Sequence, residues 1–366
     1  MSALKDLYSI PFYDRFASVL ERTLPDFNRE HFIAQIFDAA FAQKELKARM
    51  HHTALALHQF LPADFGAATG VLTRIIRQLQ KEQFGEDSLV FMFFPDYIET
   101  FGLNDYDHAI QALEETTQFV SCEFAVRPFI LKYGVRMLFQ MTSWSLHPNH
   151  KVRRLASEGS RPRLPWAMGL PALKKDPAPI LPLLDNLKND PSEWVRRSVA
   201  NNLNDIAKDH PQIVLDIARK WKGISKETDA IIKHGSRTLL KKGHAEILSH
   251  YGLDNEGLEW NDFTVITPTV KITEVLQFRF AIANTGAMAK TVRLEYALYY
   301  NKANGQLSKK VFKISERIFQ PGQSETITRN QSFRIITTRK FYTGAHKVSL
   351  IINGSEKELL DFELIS

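Results

Sequence analysis

Two segments of the chain read alike. HPNHKVRR occupies positions 147–154, and DPSEWVRR occupies 190–197. In each, a proline is followed four residues later by a valine and then by paired arginines, and the copies are offset by 43 residues. An offset of this size matches the ~40–47-residue period of two-helix repeats. A unit of that kind cannot bury its apolar face alone, so neighbouring copies must stack and share a core. The repeat therefore restricts this part of the chain to a stack of helix pairs with a concave inner surface.

The second copy continues as NDPSEWVRRSVANNLNDIAKDHP and fits the HEAT consensus of Asp-Pro, then Val-Arg, then alanine and leucine at helical spacing. TDAIIKHGSRTLLKKGH, further on, reads as a weaker third copy. Upstream, Phe32, Ile33, Ile36, Phe37, Ala40 and Phe41 lie at helical spacing after Asn28, a suitable helix start. Val71, Leu72, Ile75, Ile76 and Leu79 repeat the pattern. In the long helical region that follows, Pro128 predicts a break, or the first turn of a second helix. From about residue 263 the period changes to two. Turn signals at Asn284-Thr285-Gly286, Asn304-Gly305, Pro321-Gly322 and Asn353-Gly354 divide about seven strands, the pattern of an immunoglobulin-like sandwich. The expected organisation is multidomain α plus β: an all-α HEAT-like solenoid over 1–252, a linker over 253–262, and an immunoglobulin-like β-sandwich over 263–366.

Charge is unevenly divided between these parts. Residues 263–366 hold 15 Lys/Arg against 8 Asp/Glu, whereas the whole 366-residue chain is only +6. The sandwich is therefore basic, which points to a polyanionic partner. The one cysteine, Cys122, excludes an intramolecular disulfide and fits a reducing compartment. The N-terminal stretch lacks the apolar core of a signal peptide, and no run approaches the ~20 apolar residues of a membrane helix. The expectation is a soluble cytoplasmic protein that makes no membrane contact.

The first repeat helix carries its charges against local preference. Lys151, Arg153 and Arg154 fall in its first turns and Glu158 in its last, although the helix dipole favours the reverse by roughly 0.3–1 kcal/mol per charge. On the second repeat helix, Val195, Val199, Leu203 and Ile206 form the apolar stripe. Arg197, Asn201, Asp205 and Lys208 lie opposite, with Arg196, Asn202 and Asn204 on the flanks. A solvated face is the plain reading of that stripe, but three asparagines in one short helix are costly, because asparagine competes for backbone hydrogen bonds, and beside the arginines and one isolated carboxylate they suit a polar binding surface. In the same register, Glu158 and Asp205 converge on a groove among Arg153, Arg154, Arg196 and Arg197. A second reading stands beside it, in which Glu158 only pairs with Arg154 one turn earlier. SRPRLPW then leaves the helix, and Pro162 and Pro165 hold Arg161, Arg163 and Trp166 away from the scaffold. Trp166 fits either a core plug or a platform for a sugar or base. The sequence contains no Gly-rich phosphate loop, HExxH or nucleophile elbow, and His51-His52 lacks companions at metal-ligand spacing. Carboxylates are the best catalysts on offer.

SCEFAVRPFI (121–130), HPNHKVRRLASEGSRPRLPW (147–166) and DPSEWVRRSVANNLNDIAKDHP (190–211) together resemble the AlkC family of bacterial DNA alkylation-repair glycosylases, of which AlkD is a related branch. The C-terminal part is similar to the immunoglobulin-like domain carried by a subset of that family. The resemblance implies a monofunctional enzyme of base excision repair, without metal or cofactor, acting on 3-methyladenine and 3-methylcytosine in duplex DNA. It implies Glu123, Glu158 and Asp205 as the active-site acids and Trp166 as the aromatic beside the lesion. Arg153, Arg154, Arg161, Arg163, Arg196, Arg197, Asn201 and Lys208 are the expected DNA-binding residues. The expected partner is duplex DNA bound by a monomer with no obligatory protein partner. The competing reading is a non-catalytic HEAT scaffold for nucleic acid or protein, which would gain nothing from acids in a basic groove.

Overall fold

In a computed structural model of the chain, residues 3–85, 89–335 and 340–366 are described. They divide into two compact units, residues 1–235 and 236–366. The first unit is helical: α1 Ile10–Thr23, α2 Arg29–Ile36, α3 Leu46–His58, α4 Phe65–Lys81, α5 Phe93–Gly102, α6 Tyr106–Thr117 and α7 Val126–Tyr133. It continues with α8 Val135–Trp144, α9 His150–Gly159, α10 Pro171–Lys175, α11 Leu181–Asn186, α12 Glu193–Ile206, α13 Pro211–Trp221 and α14 Lys226–Gly235. Side chains that satisfy orphan amides set several of the starts: Asn28 accepts from His31 N, Asp64 from Ala67 N and Asn149 from Lys151 N. Pro128 sits in the first turn of α7, where its missing N–H costs nothing. α2 is shorter than its apolar spacing predicts. It stops at Ile36, and beyond it Asp38 accepts from Ala40 N and Lys44 Nζ, closing a turn where the helix would have continued.

The N-terminal core is built largely from aromatic rings, with Tyr13, Phe16, Phe32, Phe91, Phe93, Phe94 and Phe119 buried together. The two repeat segments fold as α9 and α12. α12 packs between α9 and α14, the helix of the weaker third copy. Each Pro…Val-Arg spacing has the same use. Arg153 donates to the carbonyls of His147 and Pro148 at 2.9 and 2.8 Å, and Arg196 to those of Asp190 and Pro191 at 2.7 and 2.8 Å. In both copies an arginine reaches back to the X-Pro corner that starts its own helix and satisfies two carbonyls there.

The second unit opens with α15 Arg237–Lys241 and α16 Ala245–His250, followed by β1 Leu258–Val265, β2 Thr269–Lys271, β3 Val275–Asn284 and β4 Lys290–Asn301. β5 Leu307–Phe319, β6 Ser324–Ser332, β7 Gly344–Ile352 and β8 Ser355–Ile365 complete it. The strands form a three-stranded sheet, β1-β3-β6, and a five-stranded sheet, β2-β8-β7-β4-β5. Phe278, Phe280 and Ile282 of β3 share a core with Leu294, Tyr296 and Leu298 of β4 and with Val348, Leu350 and Ile352 of β7, the alternation of a sandwich. The eighth strand is β2, three residues paired in parallel with β8 and too short to alternate visibly.

The boundaries differ from those expected. β1 begins at Leu258, inside the expected 253–262 linker, and α15 and α16 belong to the second unit instead of the helical one. The reason is packing. Leu239, Leu240 and Ile247 are buried, and Gly243 lies so close to Gly354 that a Cβ on it would come within 2.6 Å of the Gly354 carbonyl oxygen.

Two outcomes follow for stability. A Cβ on Gly159 would fall 2.5 Å from Val126 Cγ1, so Gly159→Ala should lower stability by about 1–3 kcal/mol, read as a lower denaturant midpoint at unchanged slope. Burial and the neighbouring Asp96 push the Glu99 carboxyl up to about 7, against the opposing pull of His51 and Lys47. Its folded-state pKa lies above the ordinary value of 4.5, so its contribution to stability is full below pH 4.5 and lost as pH rises through 7. Glu99→Gln should therefore raise the Tm at pH 8 and change it much less near pH 4.5, in paired thermal melts.

Candidate active site

The site begins at the seam between α9 and α12. Ser198 Oγ donates to Ser157 Oγ at 3.0 Å, and Asn202 Nδ2 donates to the Ser157 carbonyl at 2.8 Å. Asn202 is fully buried in this seam. It therefore fixes the register of two helices and is not part of a polar surface, which explains one of the costly asparagines. Asn204 is also buried, and only Asn201 is partly open.

With that register set, the acid near the end of α9 and the acid near the end of α12 come within reach of one cation. Arg161 Nη1 donates to Glu158 Oε1 at 2.7 Å, and Arg161 Nε donates to Asp205 Oδ2 at 2.9 Å. Glu158, Arg161 and Asp205 are 6%, 7% and 1% exposed. Two buried carboxylates that both stay ionised need a cation between them; here it is Arg161, which overturns the expectation that this residue projects from the scaffold. The chain turns sharply after Gly159: Ser160 Oγ bonds the Ala156 carbonyl and Arg161 N the Glu158 carbonyl, sending Arg161 back toward the acids. Burial pulls the Arg161 pKa down, but Glu158 and Asp205 together outweigh it and hold the group above its ordinary value.

The third acid joins through Arg154. Its Nη1 donates to Glu123 Oε2 at 2.6 Å and to Ser121 Oγ at 3.1 Å, and its Nη2 lies 3.9 Å from Glu158 Oε1. The pairing of Glu158 with Arg154 one turn earlier is thus present, but Arg161 is the closer partner. The Arg154 guanidinium also lies 4.4 Å over the Trp194 ring. Lys208 Nζ donates to Asp205 Oδ1 at 2.9 Å. Among the described residues, Asp205 has both carboxylate oxygens engaged, while Glu123 Oε1 and Glu158 Oε2 accept no hydrogen bond.

Sequence reasoning missed Arg127, which lies beneath this cluster. It is fully buried and donates to three carbonyls: Met168 at 2.7 Å, Gly159 at 2.9 Å and Arg161 at 2.8 Å. Burial, and then repulsion from Arg161, bring its pKa down to about 10, against attraction by Asp205, Glu158 and Glu123. Its place inside SCEFAVRPFI was the only signal. In sequence, a buried arginine looks the same as one on a helix surface. Its three bonds tie down the loop that carries Trp166, which is 66% exposed. The core-plug reading is therefore wrong; the ring is presented to solvent.

The other expected contacts divide. Arg153 forms a two-point ion pair with Asp190, at 2.6 and 3.0 Å, besides its two carbonyl bonds, and Arg196 is likewise turned to its own loop. Neither surrounds the acids as expected; both serve the repeat corner. Arg197 is exposed and pairs with Glu193, and Arg163 pairs with Asp209. His51 pairs with Asp96 at 2.8 Å, and among the described residues no group of three or more His, Cys, Asp or Glu is placed to hold a metal. No helix among them is long and apolar enough to cross a membrane.

Known proteins match both parts of this architecture. Residues 259–366 match a family model described as the C-terminal Ig-like domain of the uncharacterised protein YhaZ. YhaZ of Bacillus subtilis (strain 168) is 41% identical over 365 residues, the full length of both chains. Among solved structures, the alkylpurine DNA glycosylase AlkC of Pseudomonas fluorescens, bound to DNA containing an abasic site analog, superposes with a TM-score of 0.93 at 34% identity. All of each chain is covered in that match. An N-terminal helical region carrying the three-acid cluster, a C-terminal immunoglobulin-like domain and these full-length likenesses lead to one conclusion: the chain belongs to the AlkC family.

Proposed function

We propose that this chain is a monofunctional DNA glycosylase that hydrolyses the N-glycosidic bond of cationic N3-alkylated bases, 3-methyladenine and 3-methylcytosine, in duplex DNA. The observation that carries the reading is the gathering of Glu123, Glu158 and Asp205 around Arg154 and Arg161, with the exposed Trp166 on the loop that follows α9. A scaffold that only held phosphates would gain nothing from three acids there.

An N3-alkylated base already carries a positive charge, so it leaves with the bonding pair without first being protonated. Positive charge then develops on the deoxyribose, as in other glycoside cleavages. Fixed carboxylates stabilise that charge where it appears. Asp205, with both oxygens held by Arg161 and Lys208, supplies an immobile negative charge. Glu123 and Glu158 each keep one oxygen available to accept from the attacking water. The water's oxygen bonds to the sugar carbon, one proton passes to a carboxylate, and the products are the neutral base and an abasic site. Trp166 offers a flat apolar face to the lesion, the kind of stacking that tolerates different bases. Arg163, Arg197, Asn201 and Lys208 face the DNA backbone. The immunoglobulin-like domain, with its excess of basic residues, makes phosphate contacts of its own. One chain suffices for one lesion, so the working form is a monomer, in the cytoplasm with the chromosome.

The test is release of bases from methylated duplex DNA, resolving 3-methyladenine from 7-methylguanine. Wild type should release the N3 adduct selectively. Asp205→Asn and Glu158→Gln should lose about a hundredfold or more in rate while DNA affinity holds or improves. No release by a folded, DNA-binding wild type would move the assignment to a scaffold. Arg161 gives a separate outcome: because it neutralises two buried acids, Arg161→Met should cost about 3–5 kcal/mol of stability, measured by denaturant unfolding without DNA. A change limited to DNA affinity would mean that Arg161 is a phosphate ligand instead.

A further inference from the structure

Trp166 has a backbone that needs explaining. Its φ is +65°, the left-handed region, in a residue with a bulky side chain. Such a conformation costs about 1–3 kcal/mol and persists only where the surroundings over-determine it. The ring is exposed, so burial of the side chain does not provide that constraint. Hydrogen bonds fix the loop on either side: Ala167 N donates to the Leu164 carbonyl, Leu170 N to the Pro162 carbonyl and Arg127 to the Met168 carbonyl. At Trp166 itself the carbonyl accepts from Lys47 Nζ at 2.5 Å.

Lys47 is 119 residues away in sequence and stands in the first turn of α3. A cation there opposes the helix dipole by roughly 0.3–1 kcal/mol. The same ammonium lies 5.7 Å from the ring centroid of Phe124, the residue after Glu123. One side chain thus touches the turn that carries the first acid and the residue that presents the aromatic platform. We infer that Lys47 is a positioning residue that latches the Trp166 carbonyl and holds the indole at a set place relative to Glu123. It acts through Trp166 and not on the reacting atoms. For its effect on base release, this inference rests on the glycosylase reading above.

The experiment combines a measurement that needs no activity with one that does. Lys47→Met removes the ammonium and keeps the chain length; Lys47→Arg restores a donor. Without DNA, the fluorescence component lost in Trp166→Ala reports on this ring alone. Its nanosecond anisotropy should decay faster in Lys47→Met than in wild type and recover in Lys47→Arg, with the melting temperature unchanged. In single-turnover base release, Lys47→Met should be about tenfold to a hundredfold slower, as expected for a misplaced group, at unchanged affinity for undamaged DNA. The double variant Lys47→Met/Trp166→Ala should be no slower than Trp166→Ala alone. Unchanged anisotropy in Lys47→Met overturns the inference, and so do additive losses in the double variant. If wild type releases no base, the glycosylase reading fails, and the anisotropy comparison still decides the latch.

Discussion

Arg161 is the group on which the site depends. It lies between Glu158 and Asp205, bonded to each and almost fully buried with them. Without it, two desolvated carboxylates from neighbouring helices would repel each other in a medium that screens them poorly. With it, the acids can be held close together and rigid while Glu158 keeps one oxygen free. Preorganised charge of this kind costs nothing at the moment of reaction, which is why it counts for so much in catalysis. The charges that oppose the helix dipoles each have a local partner: Arg153 and Arg196 bond the X-Pro corners, and Glu158 and Asp205 bond Arg161.

The scaffold that makes this possible is set by the repeat. Pro…Val-Arg in each copy places an arginine on its own X-Pro corner, so α9 and α12 start with equivalent geometry. Ser157, Ser198 and Asn202 then lock the two helices side by side. An apolar seam could slide. A polar seam is tied to the register in which Ser198 Oγ meets Ser157 Oγ and Asn202 Nδ2 meets the Ser157 carbonyl, and that register brings the two acids to the same arginine.

Much of this was legible before any coordinates. Periodicity, the 43-residue offset and the turn pairs told the helical part from the β part, and motif positions named the three acids. Four features were hidden, each for a physical reason. Arg161 reads as an exposed loop residue because proline neighbours predict an extended segment, whereas the buried acids demand a cation. Arg153 and Arg196 read as groove residues because sequence does not show that a guanidinium turns back to a carbonyl. α15 and α16 read as part of the solenoid because helical periodicity does not reveal which unit a helix groups with. Lys47 and Arg127 act across 119 and 41 residues respectively, beyond any local pattern.

On the proposed function, the three acids meet positive charge on a deoxyribose. The most direct measurement compares affinity for two duplexes that differ at one abasic position, one carrying a neutral tetrahydrofuran and the other a cationic pyrrolidine in place of the sugar. The cationic ring resembles the charge of the transition state, so an enzyme built for it should bind it more tightly, by about a hundredfold or more. Wild type should show that preference, and Asp205→Asn should collapse it toward equal affinity. Equal affinity of wild type for the two duplexes would contradict it.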